Sequence, residues 1–594
     1  MKPSWLSAFL SCALFFLPHS ARASHPATAF DSPSSKKPLQ QNATLEFSPL
    51  EKILPQMLDS AEVPGLAIAI VENGKPVWMR GFGFKNAATK APVIESTIFQ
   101  AASLSKPVFA YAVHKLVEEG KFDLDQPLLE YVPQAYFEAA FLKRPLDDER
   151  MRRLTARMVL SHTTGFPNWR RGEKGLQLNF EPGAHFNYSG EGFVLLQKVI
   201  ERLTGQTLQE FVARQVFLPL GMAASSYVWR NEYAPDLAEP HDLLGKVEER
   251  PPTLEGNAAY SLYTTARDYG IFLAAMLEQR GLEKKTFAQM LKPQMQLPAR
   301  WGDFSGAKAE GLSWGLGWGL QRTKVDESFW HWGDNGAYRC YVVDYPKQNR
   351  GLVFFTNSVR GLNMTAELVR QIGGDDHAAL MQWLNYDSYN SASAILEKTA
   401  RKNGMAAAIA QFRAQSKAKP NYRLNEGAVN SLGYLLMRGN RLDDALQVFQ
   451  LNVEFFSDSW NVFDSYAEAQ LRNGARRLAE ENYAKSLAMN PDNAGAKQIL
   501  QQLRSDRPRT GNAQFRLKGH ASARLVTLAG DFNDWSALHT LFEKEGEDWT
   551  CRINLLPGKY FYKFVVDDKW ITDPGNPNSE DDGNGNSNSV LVVK

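Results

Sequence analysis

Ser103 and Lys106 stand three residues apart in FQAASLSKPVFAYAVHK, residues 99–115, a spacing that could do covalent chemistry. Phe109, Val113, Leu116 and Val117 follow at helical spacing and predict one buried face. Ser103 and Lys106 therefore fall one turn apart at a helix start, where Pro107 removes no intrahelical donor. A hydroxyl is a poor nucleophile until a neighbour takes its proton, and a desolvated lysine can do so. Taken alone, the pair is also compatible with a capping serine and a solvated lysine. Ser105 is the competing hydroxyl, but Lys106, one residue on, would face away from it. Tyr188, in a segment rich in small residues, and His331 are further groups able to hold or move a proton, and each alone is equally a packed core residue.

The chain that must position these groups has 594 residues, too many for a single core. Its net charge of +2 gives no reason to expect nucleic acid or an anionic membrane as partner. Residues 1–23 read as a signal peptide: Lys2, an apolar run from Trp5 to Leu17, and Ala21-Arg22-Ala23 before Ser24. No later run approaches the ~20 apolar residues of a membrane span. We therefore expect an exported protein, periplasmic or secreted, with no membrane span in the mature chain. Cys12 would leave with the signal, and Cys340 and Cys551 do not require a disulfide. No H-E-x-x-H or C-x-x-C spacing occurs, so neither a metal nor another cofactor is expected. A G-x-S-x-G elbow around Ser189 is ruled out by Asn187 and Glu191.

Residues 24–46 read as a flexible lead-in. Residues 47–383 form the large domain. Two strands, 66–71 and 76–81, are joined at Asn73-Gly74, a hairpin signal. Helices follow at 192–203 and 266–277, then strands rich in aromatic and β-branched residues between 311 and 358. Strands at both ends with helices between predict one mixed domain on an antiparallel sheet. Residues 385–503 turn helical, with a period of thirty-four: Leu432, Ala445 and Phe449 recur as Tyr466, Ala479 and Tyr483. This resembles tetratricopeptide repeats and implies a protein partner for that region. Residues 505–512 read as a linker, and 513–594 as a small all-β sandwich.

Three pieces of the large domain come in a set order: Ser103-Leu104-Ser105-Lys106, Tyr188-Ser189-Gly190, and His331-Trp332-Gly333. With Pro64-Gly65, Leu160-Ser161-His162-Thr163-Thr164-Gly165 and Gly315-Leu316-Gly317-Trp318 around them, they resemble the serine β-lactamase and penicillin-binding protein family, in particular its class C and esterase-like branch. The resemblance implies the α/β (α+β) transpeptidase-like fold. It implies that Ser103 forms an acyl-enzyme, and that Lys106 and Tyr188 share its proton, Tyr188 as base with a phenol acidified by Lys106. The backbone N–H groups of Ser103 and Asp334 would hold the oxyanion, with Gly333 and His331 lining the site.

Two departures from the family pattern narrow the expected substrate. Gly190 stands where an Asn usually contacts the lysine and a substrate amide, and His331 stands where β-lactamases carry a Lys. Arg339 is a candidate replacement cation, a solvated strand residue being the alternative. Both changes favour an ester, amide or D-amino-acid peptide over efficient β-lactam hydrolysis. The alternatives kept open are a D-Ala-D-Ala carboxypeptidase, D-peptidase or weak β-lactamase, and a non-catalytic interaction or carbohydrate-tethering protein. LAGDFNDW, LPGKYFYKFVVDDKW and GNSNSVLVV resemble the glycogen-binding domain of AMP-activated kinase β subunits. That resemblance implies an α-glucan ligand, with Trp535 and Trp570 stacking on sugar rings and Lys563 and Asn588 bonding hydroxyls.

Overall fold

The computed structural model describes residues 46–594 apart from 171–175, 244, 305, 324–325, 375–376, 505–509 and 582–586. The expected signal peptide, almost all of the lead-in and most of the linker lie outside the described residues. The described chain divides into two compact units, residues 46–390 and 391–594.

The first unit is built on a nine-stranded antiparallel sheet. Its strands are β1 (Gly65–Glu72), β2 (Lys75–Asn86), β3 (Ala91–Pro92), β6 (Met295–Pro298), β7 (Lys308–Trp314), β8 (Gly319–Arg322), β9 (Glu327–Asp334), β10 (Arg339–Tyr345) and β11 (Arg350–Thr356). The remaining pair, β4 (Phe99–Gln100) and β5 (Tyr263–Thr264), forms a separate ribbon just ahead of Ser103. The sheet order is β3-β2-β1-β11-β10-β9-β8-β7-β6, so the first strands of the unit pair directly with the last. Both faces of the central strands are buried. Ala67, Ala69 and Val71 join one core with Val342, Val353 and Phe355; Leu66, Ile68 and Ile70 join the other with Val343, Leu352 and Phe354. This is the period-two side-chain alternation of a strand, with both sets apolar.

The first core holds helices Ser105–Glu118, Gly190–Thr204 and Ala266–Leu277. The second holds Ser48–Ala61 and Thr365–Gln371. Helix Ser105–Glu118 differs from the one-faced helix its spacing predicts: eleven of its fourteen residues are buried. Small residues Ala110 and Ala112 complete the pattern, because the helix lies inside the unit with packed neighbours all round.

In the second unit, helices Ala392–Asn403, Glu426–Arg438, Trp460–Arg472 and Ala494–Leu503 begin thirty-four residues apart from one to the next. The repeat thus extends one helix beyond each side of the two repeats visible in the sequence. Gly433 shows why small residues recur: an added Cβ would lie 2.5 Å from the ring of Phe449 on the facing helix. The described residues of 513–594 form an all-β domain of a three-stranded and a five-stranded sheet. Leu525 and Leu541 from that domain pack with Ala467, Tyr483 and Leu500 of the last helices. Cys340 and Cys551 are buried and not joined in a disulfide.

Candidate active site

Ser103 lies in a single 3₁₀ turn, Ala102–Leu104, that runs straight into helix Ser105–Glu118. Hydrogen bonds from distant elements hold this turn. Tyr269 Oη donates to Leu104 O at 2.9 Å, Tyr227 Oη to Ser105 O at 2.6 Å, and Cys340 Sγ to Ala101 O at 3.0 Å. Ala102, just before the serine, has φ of 45°, a left-handed conformation that costs a non-glycine residue about 1–2 kcal/mol. Surrounding structure over-determines that strained residue, which fixes where the Ser103 side chain leaves the backbone. Ser105, the competing hydroxyl, is fully buried and bonds to Ala102 O at 2.6 Å while accepting from Leu262 N–H. It supports the turn. Ser103 is half-buried and open to a ligand.

Lys106 Nζ lies 3.0 Å from Ser103 Oγ and donates to Ala259 O at 2.8 Å. The side chain is buried, 1 % exposed, and burial pushes its pKa well below the ordinary lysine range. The rings of Tyr188 and Phe193, 4.7 and 5.5 Å from Nζ, favour the ammonium. A cation–π contact is worth about 0.5–2 kcal/mol, less than the several kcal/mol that burying an ion costs. Desolvation is the larger effect and favours the neutral amine over the ammonium.

Tyr188 stands on the loop leading to helix Gly190–Thr204, which Ser189 caps by accepting from Gly192 N–H. Burial pushes its phenol well above the ordinary range, and the neighbouring Ser103 hydroxyl, which pulls the other way, is the smaller effect. This direction runs against the expected acidified phenol. Tyr188 is walled by Trp301, Trp314 and Trp332 with His162, so water cannot solvate a phenolate, and Lys106 is desolvated too. The Tyr188 hydroxyl is buried beside the Ser103 hydroxyl, and burial favours its protonated form.

His331 is fully buried on β9; its Nδ1 lies 2.7 Å from Trp332 O, and burial lowers its pKa. Gly333 sits where β9 crosses the nucleophile turn, and an added Cβ would lie 2.6 Å from Ala101 O and against Cys340 Sγ. Gly333→Ala must push β9 off that turn. We expect kcat to fall on the order of 10²-fold, with a lower Tm, in ester kinetics and thermal melts; unchanged values for both would refute the close approach. Asn335 N–H donates to Tyr338 O, closing the β9–β10 hairpin. The alternation of an antiparallel ladder then turns the Asp334 N–H away from β10. Among the described residues β8 pairs with β9 only as far as Trp330, so that N–H points beyond the end of the neighbouring strand.

The Asp334 side chain does not face a ligand freely. It accepts from Tyr386 Oη at 2.6 Å and pairs with Arg339 at 3.2 Å. Arg339, the candidate replacement cation, is thus already matched to a carboxylate and lies over the Tyr386 ring.

His162 is a residue whose role the sequence reading missed. Its φ is 56°, its Nδ1 accepts from Ser189 N–H at 3.0 Å, and its ring lies 4.3 Å from that of Tyr188. It positions the tyrosine loop. The signal present in the sequence was only a histidine inside Leu160–Gly165, with no local pattern to tie it to residue 188.

In the second unit Trp535 and Trp570 come together, with ring centroids 6.4 Å apart and planes at 31°. Trp570 is 46 % exposed, and Trp535 Nε1 donates to Asp531 Oδ1. Val565 pairs with Trp570, and Lys563 lies two residues before it on the same face. Asn588 is buried, 6 % exposed.

Residues 50–373 match the family model described as Beta-lactamase. Residues 513–594 match that of the glycogen recognition site of AMP-activated protein kinase. The chain is 22 % identical over 377 residues to Protein flp of Staphylococcus aureus (strain N315), covering 59 % of this chain and 69 % of that protein. It is 22 % identical over 329 residues to Penicillin-binding protein 4* of Bacillus subtilis (strain 168), covering 49 % and 67 %. Among solved structures, the octameric penicillin-binding protein homologue from Pyrococcus abyssi aligns at a TM-score of 0.47 and 24 % identity, covering 60 % of this chain and 82 % of that one. With its family model spanning more than half of the residues, this chain belongs to the beta-lactamase family of serine-hydrolase folds.

Proposed function

We propose that this protein hydrolyses carboxylic esters through an acyl-enzyme on Ser103, with Lys106 as the base. The observation that carries this is the 3.0 Å approach of a desolvated Lys106 Nζ to Ser103 Oγ. Ser103 Oγ attacks the carbonyl carbon as its proton passes to Nζ, and the oxyanion lies against the N–H groups of Ser103 and Asp334. The C–O bond then breaks, and the Lys106 proton leaves with the alkoxide. Water attacks the acyl carbon and gives a proton to Nζ; the bond from the acyl carbon to Oγ then breaks, Nζ returns that proton to Oγ, and the acid departs. Tyr188, kept protonated by burial, donates a hydrogen bond to the reacting oxygens and takes the place of water there. This reverses the expected roles of Lys106 and Tyr188.

The ester reading is favoured over a D-peptidase or β-lactamase by the cations. Arg339 pairs with Asp334, and Arg250, against Gly336, pairs with Glu248 at 2.9 Å. Each thus already faces a carboxylate of the protein. A fluorophosphonate probe, which reports an activated serine, should label the peptide carrying Ser103 at one equivalent by intact mass and peptide mapping. Labelling confined to Ser105, or none, would refute the assignment. The reading of export rests on the apolar run before Ala21-Arg22-Ala23.

For the C-terminal domain we propose α-glucan binding at the Trp535–Trp570 platform, carried by the exposed ring of Trp570. Trp570→Ala should weaken retention on amylose resin roughly tenfold, the effect of removing an aromatic anchor. Equal retention of variant and wild type would show that the ring is not the anchor.

A further inference from the structure

Gly190 has no room for a side chain. A Cβ there would lie 2.5 Å from Cη2 of Trp169 and 2.6 Å from its Cζ2. The indole therefore occupies the volume that a longer residue two positions after Tyr188 would fill. Trp169 is 38 % exposed and meets Tyr260 edge to face, with centroids 5.7 Å apart. Both rings hang on segments that carry the site. Tyr260 follows Ala259, whose carbonyl holds Lys106, and its own carbonyl accepts from Asn335 Nδ2 at 3.3 Å, one residue past Asp334. Trp169 is pinned on both flanks. Asn168 accepts from Gly190 N–H through its carbonyl and its side chain, at 3.0 and 2.9 Å. Arg170 N–H and Nε donate to Glu191 Oε1 at 3.0 and 2.9 Å. A tryptophan held this firmly and still open to solvent is a preformed apolar wall at the rim of the site.

Resting on the ester-hydrolase reading above, we infer that Trp169, with Tyr260, is a specificity-determining wall that selects esters bearing an uncharged aromatic group beside the scissile bond. A flat ring can lie against the indole and bury a large area at little entropic cost. A charged substituent meets aromatic carbon there, and the arginines at the end of β9 are already matched to Asp334 and Glu248. Gly190 and Trp169 act as one substitution: the small residue makes the space, and the indole converts it from polar to apolar.

The test compares methyl acetate, methyl phenylacetate and benzyl acetate, which place a ring on neither, the acyl or the alcohol side. The full-length protein is assayed by proton release in a pH-stat. At least one ring-bearing ester should show kcat/KM about tenfold or more above methyl acetate, the range an apolar pocket discriminates. That ratio should fall close to unity in Trp169→Ala, and equally in Gly190→Asn, whose side chain displaces the indole. Trp169→Phe should keep most of it, which a merely structural loss would not. A wild-type ratio near unity, or a ratio unchanged in Trp169→Ala, overturns the inference while Ser103-dependent turnover leaves the hydrolase reading standing. Turnover of none of the three esters, or turnover that survives Ser103→Ala, sinks that reading and the inference with it.

Discussion

Ser103→Ala is expected to lower kcat/KM for a chromogenic ester on the order of 10⁴-fold or more, with the melting temperature close to wild type. The size follows from the mechanism: without Oγ there is no acyl-enzyme, and the oxyanion site alone retains only residual catalysis. The unchanged stability follows from the structure. Ser103 is half-buried, and its hydroxyl is bonded to Lys106, whereas the bonds that hold the turn come from Ser105, Tyr227, Tyr269 and Cys340. Ser105→Ala is the informative contrast. It removes a buried support of the turn and should cost stability, about 1–3 kcal/mol, while activity survives in the folded fraction. Stopped ester turnover in Ser105→Ala but not in Ser103→Ala would exchange the two roles and end the assignment.

Lys106→Met and Lys106→Arg should each lower kcat by about 10²–10⁴-fold, the usual contribution of a positioned base. Arginine separates two explanations. It keeps a positive charge and cannot be deprotonated in a protein, so it rescues an electrostatic role and cannot rescue a base. An Arg variant with near wild-type kcat would refute the base role. The same burial gives a pH dependence of defined sign. The folded-state pKa of Lys106 is depressed, so between that value and the ordinary lysine range the unfolded chain holds a proton that the folded chain lacks. Wild-type stability gains from this residue as pH rises through that window. Lys106→Met lacks this contribution. Its Tm advantage should be largest at the acid end of the window and shrink as pH approaches ~10.4. The wild-type kcat/KM should in turn fall on acidification, as the amine takes up a proton. A variant-minus-wild-type Tm difference that grows with pH would show that Lys106 is charged in the folded protein.

Several features were legible in the chain before any coordinates. A serine three residues before a lysine at a helix start must place them one turn apart, because helical geometry is local. The hairpin joined at Asn73-Gly74 and the thirty-four-residue helical period are local as well, and both appear in the fold. The two departures, Gly190 and His331, were visible as letters. What they mean was not. The protonation of Lys106 and Tyr188 depends on how much water reaches them. That is decided by Trp301, Trp314, Trp332, Phe193 and His162, which converge from helices, strands and loops far apart in sequence. Local pattern carries no information about desolvation. The matching of Arg339 to Asp334 and the strained backbone at Ala102 and His162 likewise exist only once the sheet and helices are packed. The sequence by itself determined that Ser103 and Lys106 share one helical turn. Only the tertiary structure decided how far Lys106 and Tyr188 are removed from water, and that an indole fills the space Gly190 leaves, because burial and steric exclusion belong to the packed chain.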